Sequence, residues 1–303
     1  MTYLHRQLWD YAEVEGLLPK LDRCERGDER RPPVFDRQYA DQNILLPPDA
    51  DDGARSKVIG AVPRHKRHRW FHSMKSSQAL TQSVFANLIA SGDLHALNDL
   101  AADQDLPAFG IDLNDAEVRL EYDVGHLGEP RPSSIDVFIS GARRIAVECK
   151  LTEQKFDKCS RVPKKCDGNY ARQRGRKERC YLSERDILYW KYAPDFFIWK
   201  NDRDIFPCPL RFTYQIARNL LAAGVLENGS VAADSSHALI IYDERNPEFG
   251  GGGKCRGQFD AACNALKIPS MLRLCSWQSV TGELAKNAST KWLAAQLQNK
   301  YGF

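Results

Sequence analysis

The sequence predicts an α/β fold, and three features carry that prediction. Ile135-Asp136-Val137-Phe138-Ile139 and Ile145-Ala146-Val147-Glu148-Cys149-Lys150 are short apolar runs rich in β-branched residues, separated by a tight turn at Gly141-Ala142-Arg143. Residues 77–90 and 210–223, one segment on each side of that pair, carry apolar side chains at helical spacing. Ala238-Leu239-Ile240-Ile241-Tyr242 is a continuous apolar run, short enough for a buried strand.

Taken in order, residues 4–21 read as an N-terminal helix. Residues 23–69 are polar, proline-bearing and charge-rich, which predicts a loop or arm. The chain is therefore expected to divide into residues 1–69, helix and polar arm, and a main domain over 70–303. The helix at 77–90 places Leu80, Val84, Phe85, Leu88 and Ile89 on its apolar face. Residues 118–124 alternate Val118, Leu120, Tyr122 and Val124 against Arg119, Glu121 and Asp123, the period of a half-buried strand.

In the next strand pair, Gly141 supplies a permissive turn backbone. Pairing Ser140 with Arg144 sets Asp136 opposite Glu148. Asp136 and Phe138 then share a face with Ala146, Glu148 and Lys150, while Val137, Ile139, Ile145, Val147 and Cys149 form the core surface behind them. One slip of register would bury the charges, so the register is well specified. Residues 154–208 follow as a long insertion. The helix at 210–223 carries Phe212, Ile216 and Leu220 at four-residue spacing. The strand at 238–242, a glycine loop at Gly250-Gly251-Gly252-Gly253, a strand at 272–277 and a helix near 292–301 complete the chain. Lys254-Cys255 follows the glycines where a phosphate loop needs Lys-Ser/Thr, which excludes nucleotide binding there. His65, His68 and His72 lack a partnered motif and read as charge or packing.

Two acids and one amine at the end of a hairpin have a chemical meaning. Neighbouring carboxylates raise each other's pKa, and a hard cation removes the conflict. Mg²⁺, or Mn²⁺ in its place, takes one or two carboxylates, keeps several waters and bonds phosphate oxygens. Asp136 and Glu148 would hold it, the Cys149 carbonyl would be a further ligand, and Lys150 would orient water or stabilise developing charge. Glu121 faces away from Leu120 and Tyr122 and is a further acid for the site; its plain reading is a solvated strand residue beside Arg119. Glu153 either reaches the site or caps the next segment.

Asp136 followed by Glu148-Cys149-Lys150 resembles the active-site signature of the PD-(D/E)XK, restriction-endonuclease-like nuclease superfamily. Ile135 stands where the signature usually has proline. Ser76-Ser77-Gln78-Ala79-Leu80, Lys150-Leu151-Thr152-Glu153 and Ala238-Leu239-Ile240-Ile241-Tyr242 further resemble a bacterial branch of restriction endonucleases, and the resemblance spans about residues 70–280. It implies a mixed central sheet flanked by helices, in the order helix, three strands, helix, strand, here with a Cys- and Lys/Arg-rich insertion. It also implies a metal-dependent DNA endonuclease, restriction- or defence-related, leaving 5′-phosphate and 3′-hydroxyl ends. Gln215 resembles the glutamine that some branches place near the metal. Cutting a duplex needs two active sites, so a homodimer is expected. An exonuclease or structure-specific repair nuclease, and a non-cleaving nucleic-acid-binding module, are the alternatives.

The insertion holds Cys159, Cys166, Cys180 and Cys208 and a run of cations that includes Lys164, Lys165, Arg172, Arg174, Arg176 and Lys177. Four cysteines in a polar segment point to a structural Zn²⁺, with an iron–sulfur cluster or ordinary reduced thiols as alternatives. Phosphodiesters attract such cations through counterion release, and Arg64-His65-Lys66-Arg67-His68-Arg69 forms a second basic cluster ahead of Trp70. With 43 basic and 40 acidic residues the net charge is only +3, so the distribution and not the total argues for DNA as partner. No apolar run has the length of a membrane span. Nine cysteines without a secretory leader are expected in a reducing, cytoplasmic setting.

Overall fold

The computed structural model describes residues 2–22, 30–130, 132–159, 164–168, 180–200 and 207–303. Its centre is a five-stranded sheet in the order β1 (Glu117–Val124), β2 (Ser133–Ser140), β3 (Arg144–Cys149), β4 (Ser236–Tyr242), β5 (Leu272–Ser276). The first three strands are antiparallel, and β4 and β5 add in parallel, so the sheet is mixed. The helices are α1 (Thr2–Val14), α2 (Asp52–Gly60), α3 (Ser77–Ser91), α4 (Tyr189–Phe196), α5 (Leu210–Gly224), α6 (Lys254–Ala265), α7 (Trp277–Lys286) and α8 (Lys291–Tyr301). This is the expected helix, three strands, helix, strand core with additions at each end. Among the described residues no helix is long and apolar enough to cross a membrane.

Two apolar layers sandwich the sheet. Val137, Ile139, Ile145, Val147 and Cys149 pack with α3, α7, α8 and α1 on one side. Phe138, Ala146, Ala238 and Ile240 pack with α4, α5 and α6 on the other. The hairpin faces are thus those its alternation predicts. The turn also lies where expected, with Ser140 paired to Arg144. Gly141 is not in a left-handed conformation; a Cβ there would stand 3.4 Å from the Ala116 backbone, so close packing is its role. α3 begins at Ser76, whose hydroxyl accepts from the Ala79 N–H, and ends at Gly92 with φ +76. Ile89 on α3 and Phe212 on α5, both expected to be buried, are 39% and 49% exposed because the sheet covers only part of each helix.

The strand expected to alternate evenly from Val118 to Val124 does not. Val118 and Leu120 pack on the α3 side, whereas Tyr122 and Val124 pack on the α5 side. The cause is Glu121, which adopts φ +48 and turns the strand over. A non-glycine residue held there costs about 1–2 kcal/mol, and such strain collects at functional sites.

The segment expected to be a polar arm is folded wherever it is described. It holds α2, and Val34, Phe35, Ile44, Leu45, Val58 and Val62 are buried. Polarity misled because the few apolar residues named here are buried, while Asp41 pairs with Arg64 and Arg67 within the segment. The insertion aromatics Tyr189, Trp190, Tyr192, Phe196, Phe197 and Trp199 are core residues against α5 and α6.

Candidate active site

The β2–β3 ladder runs from Ser140↔Arg144 to Val137↔Val147 and stops one residue short of Asp136 and Glu148. Beyond that point β3 stays paired with β4, and the Cys149 N–H donates to Asp136 Oδ2 at 2.7 Å. The Asp136 carboxylate therefore satisfies the backbone group that the end of the ladder releases. Asp136 lies in register with Glu121, between the pairs Leu120↔Val137 and Tyr122↔Ile135. The turned-over backbone at Glu121 thus sits directly beside the first predicted metal ligand.

Glu148 points toward α5 and is held from three directions. Lys150 Nζ lies 2.8 Å from its Oε1, Gln215 Nε2 donates to the same oxygen at 2.8 Å, and Asn219 Nδ2 donates to Oε2 at 2.9 Å. Gln215 Oε1 in turn accepts from Lys150 Nζ at 3.2 Å and from the Asp157 N–H at 2.9 Å. The glutamine ties β3, α5 and the start of the insertion together. Just before it, Thr213 breaks the helical geometry of α5. Gln215, Arg218 and Asn219 occupy i, i+3 and i+4 and present one polar stripe toward β3.

Glu121 is buried. It accepts from Gln78 Nε2 at 2.6 Å and Ser134 Oγ at 2.7 Å. It acts on both Asp136 and Glu148 electrostatically, so its solvated-strand reading fails. Glu153 caps its own segment by accepting from the Leu151 N–H at 2.6 Å, and also accepts from Ser77 Oγ at 2.7 Å, which pins α3 to the loop after β3. Next to this junction lies a cleft of about 410 Å³ whose wall includes Trp70, Ser77, Gln78 and Glu153.

The electrostatics separate the acids. Burial, then Glu148 and Glu121, push the Asp136 carboxyl well above the usual range. Burial likewise raises Glu121. For Glu148 burial works upward too, but Lys150 and Arg218 outweigh it and hold the group below its ordinary value. Burial alone would lower the Lys150 ammonium; Glu148, Glu153 and Asp136 overcome it and hold the amine above its ordinary value. Lys150 is thus a fixed cation here. A crowd of three carboxyls in which one cannot easily ionise is the charge problem that a divalent ion resolves. The donor set is all oxygen and fits a hard cation. Among the described residues no three His, Cys, Asp or Glu side chains already stand in metal-holding positions. Asp136, Glu148 and the Cys149 carbonyl are the groups that would supply ligands.

The structure therefore gathers Asp136, Glu148, Lys150, Glu121 and Gln215 at one place. Arg218 and Asn219 were missed. The signal was present as polar residues three and four positions after Gln215, but only contact with Glu148 gives it meaning. The basic clusters fare differently. Arg64 and Arg67 pair with Asp41, and Lys66 pairs with Asp123 at 2.7 Å while donating to the Glu121 carbonyl at 2.9 Å. Lys66 thus braces the edge of β1, while Arg69 and Trp70 stay exposed. Lys164 and Lys165 are exposed; Arg172, Arg174, Arg176 and Lys177 lie outside the described residues.

A family model described as restriction endonuclease associating with ARP matches residues 18–302. The chain belongs to that family. The match covers β1 through β5 and so every residue of the site. It also takes in the whole stretch expected to be an arm. No curated protein and no solved structure matches the chain.

Proposed function

We propose that this member of the restriction-endonuclease family is a metal-dependent DNA endonuclease with Asp136, Glu148 and Lys150 as its catalytic residues. The observation that carries the proposal is the cluster at the end of the β2–β3 ladder. There an ionised glutamate is paired to a buried lysine, beside an aspartate whose ionisation neighbouring acids oppose. Asp136 and Glu148, with the Cys149 carbonyl, would hold Mg²⁺ or Mn²⁺. Such an ion, when bound, polarises a phosphodiester and acidifies water.

The protein's own part follows from the geometry. Gln215 and Asn219 fix the Glu148 carboxylate, so its oxygens do not rotate when a ligand arrives. Lys150, kept protonated by its acidic neighbours, presents a positive charge toward a phosphate's developing negative charge rather than acting as a base. Gln78 and Ser134 hold Glu121, and with it the turned backbone that places Asp136. Exposed Lys164, Lys165 and Arg69 would supply phosphate contacts. Cutting both strands would bring in a second copy of the chain, and the family description names an association with ARP.

Closed circular plasmid incubated with wild type and Asp136→Ala, with and without Mg²⁺, tests the reading. Nicked or linear product that requires both Mg²⁺ and Asp136 is the expected result. An intact circle, with degradation only of linear DNA, would instead identify an exonuclease; no metal-dependent cutting of either substrate would refute the nuclease assignment.

A further inference from the structure

We propose that Cys159, Cys166, Cys180 and Cys208 form a structural Zn²⁺ site that fastens the insertion to the start of α5, separate from the nuclease centre. Nothing in the catalytic cluster uses these residues. They are spread over 50 positions of sequence, yet all four line a single enclosed cavity of about 10 Å³. That is room for about one small sphere, which suits a single ion.

The backbone around the sulfurs is arranged for thiolates. The Gly168 N–H points at the Cys166 sulfur at 3.4 Å, two residues back along the chain. The Leu182 and Ser183 N–H groups point at the Cys180 sulfur, again two and three residues back. Burial raises the Cys180 thiol, and the two N–H groups work against that rise, in the direction of the deprotonated, metal-binding form. The turns carrying them are fixed. Gly168 adopts φ +78, and a Cβ there would stand 2.8 Å from Arg211 Cδ. Its carbonyl accepts from the Cys208 N–H at 2.9 Å, which brings the fourth cysteine onto the first turn. Arg211, also on the cavity wall, adds a cation beside a site whose four thiolates would leave a net negative charge on the zinc complex.

Buried cysteines, as Cys166, Cys180 and Cys208 are, can also be plain small apolar residues, and Cys180 and Cys208 do sit in the core layer against α5. Common convergence on a one-ion cavity, together with N–H groups aimed at two of the sulfurs, favours ligation. The sulfurs are not already at ligating positions, so uptake draws them inward by side-chain rotation. The exchange balances simply: one Zn²⁺ enters, four thiol protons leave to solvent, and no electron is transferred.

The test is metal content, measured on full-length protein purified in reducing buffer without chelator. About one zinc per chain is expected in wild type, with most of it lost in Cys166→Ser and Cys180→Ser and retained in Cys263→Ser and Asp136→Ala. Retention in Asp136→Ala separates this ion from any metal of the nuclease site, whatever the cleavage result. Should the serine variants fail to fold, wild type loaded with Co²⁺ gives an independent reading through the thiolate-to-cobalt charge-transfer band and tetrahedral d–d absorption. Wild type without zinc and without that spectrum, zinc undiminished in both serine variants, or iron in its place would each overturn the proposal.

Discussion

Replacing Lys150 with methionine keeps most of the volume and removes the charge, and its effect on stability can be worked from the site. Lys150 Nζ and Glu148 Oε1 are 2.8 Å apart, with side chains 8% and 6% exposed. At that distance and an effective dielectric of about 20, their attraction is on the order of 6 kcal/mol. Desolvating two ions cancels several kcal/mol of this, so the pair as a whole contributes little. Removing one partner is different, because the other remains buried and uncompensated, at a cost of about 3–5 kcal/mol. Glu148 retains the Gln215 and Asn219 amide donors, each worth about 1.5–3 kcal/mol to a charged acceptor, which places the loss toward 3. Glu148→Gln combined with Lys150→Met removes both charges, and the double variant should be more stable than the sum of the singles by about 2 kcal/mol. Urea unfolding of the four proteins at pH 7 reads this directly. Additivity within about 0.5 kcal/mol would show that the two groups are not a buried pair and refute the reasoning. All three variants should fail to cut plasmid DNA, including the double variant that recovers stability, which separates folding from catalysis.

Asp136→Ala should lower Mg²⁺-dependent cleavage by at least about 10²-fold; relief of repulsion with Glu148 and Glu121 offsets part of the about 1–3 kcal/mol lost with the acceptor of the Cys149 N–H, and a destabilisation well beyond that would contradict the crowded-acid picture. Gln215→Ala should cost about 10–100-fold in activity or metal affinity, measured as the Mg²⁺ dependence of cleavage, because Glu148 is then free to rotate. Lys300 is buried at the end of α8, donates to Asn43 O and Oδ1, and burial lowers its pKa from 10.5 to about 7. The unfolded chain therefore binds that proton more tightly between pH 7 and 10.5, so stability should rise from pH 7 to 9 by on the order of 2 kcal/mol. The full penalty of the buried charge acts below pH 7. Urea midpoints across that range should lose this rise in Lys300→Met, and an unchanged pH profile in the variant would show that Lys300 is not its source.

What the sequence alone determined was local. The β2–β3 hairpin, its turn and the faces of Asp136, Glu148 and Lys150 were readable because strand alternation and a three-residue turn leave one register that keeps the charges off the core. α3, α5, β4 and β5 were readable because each carries its apolar period within its own span. Long-range contact decided the rest. Gln215 and Asn219 reach Glu148 across 67 and 71 residues of chain, and neither names its partner in the sequence. The positive φ of Glu121 reverses β1 beside Asp136, a backbone state that residue type does not announce for glutamate. The stretch before residue 70 read as an arm because some of its ion pairs and buried side chains meet partners elsewhere in the fold, among them Lys66 with Asp123 and Asn43 with Lys300. Sequence periodicity records which face of an element is apolar; only the folded chain sets which polar groups then lie close enough to share a proton or an ion.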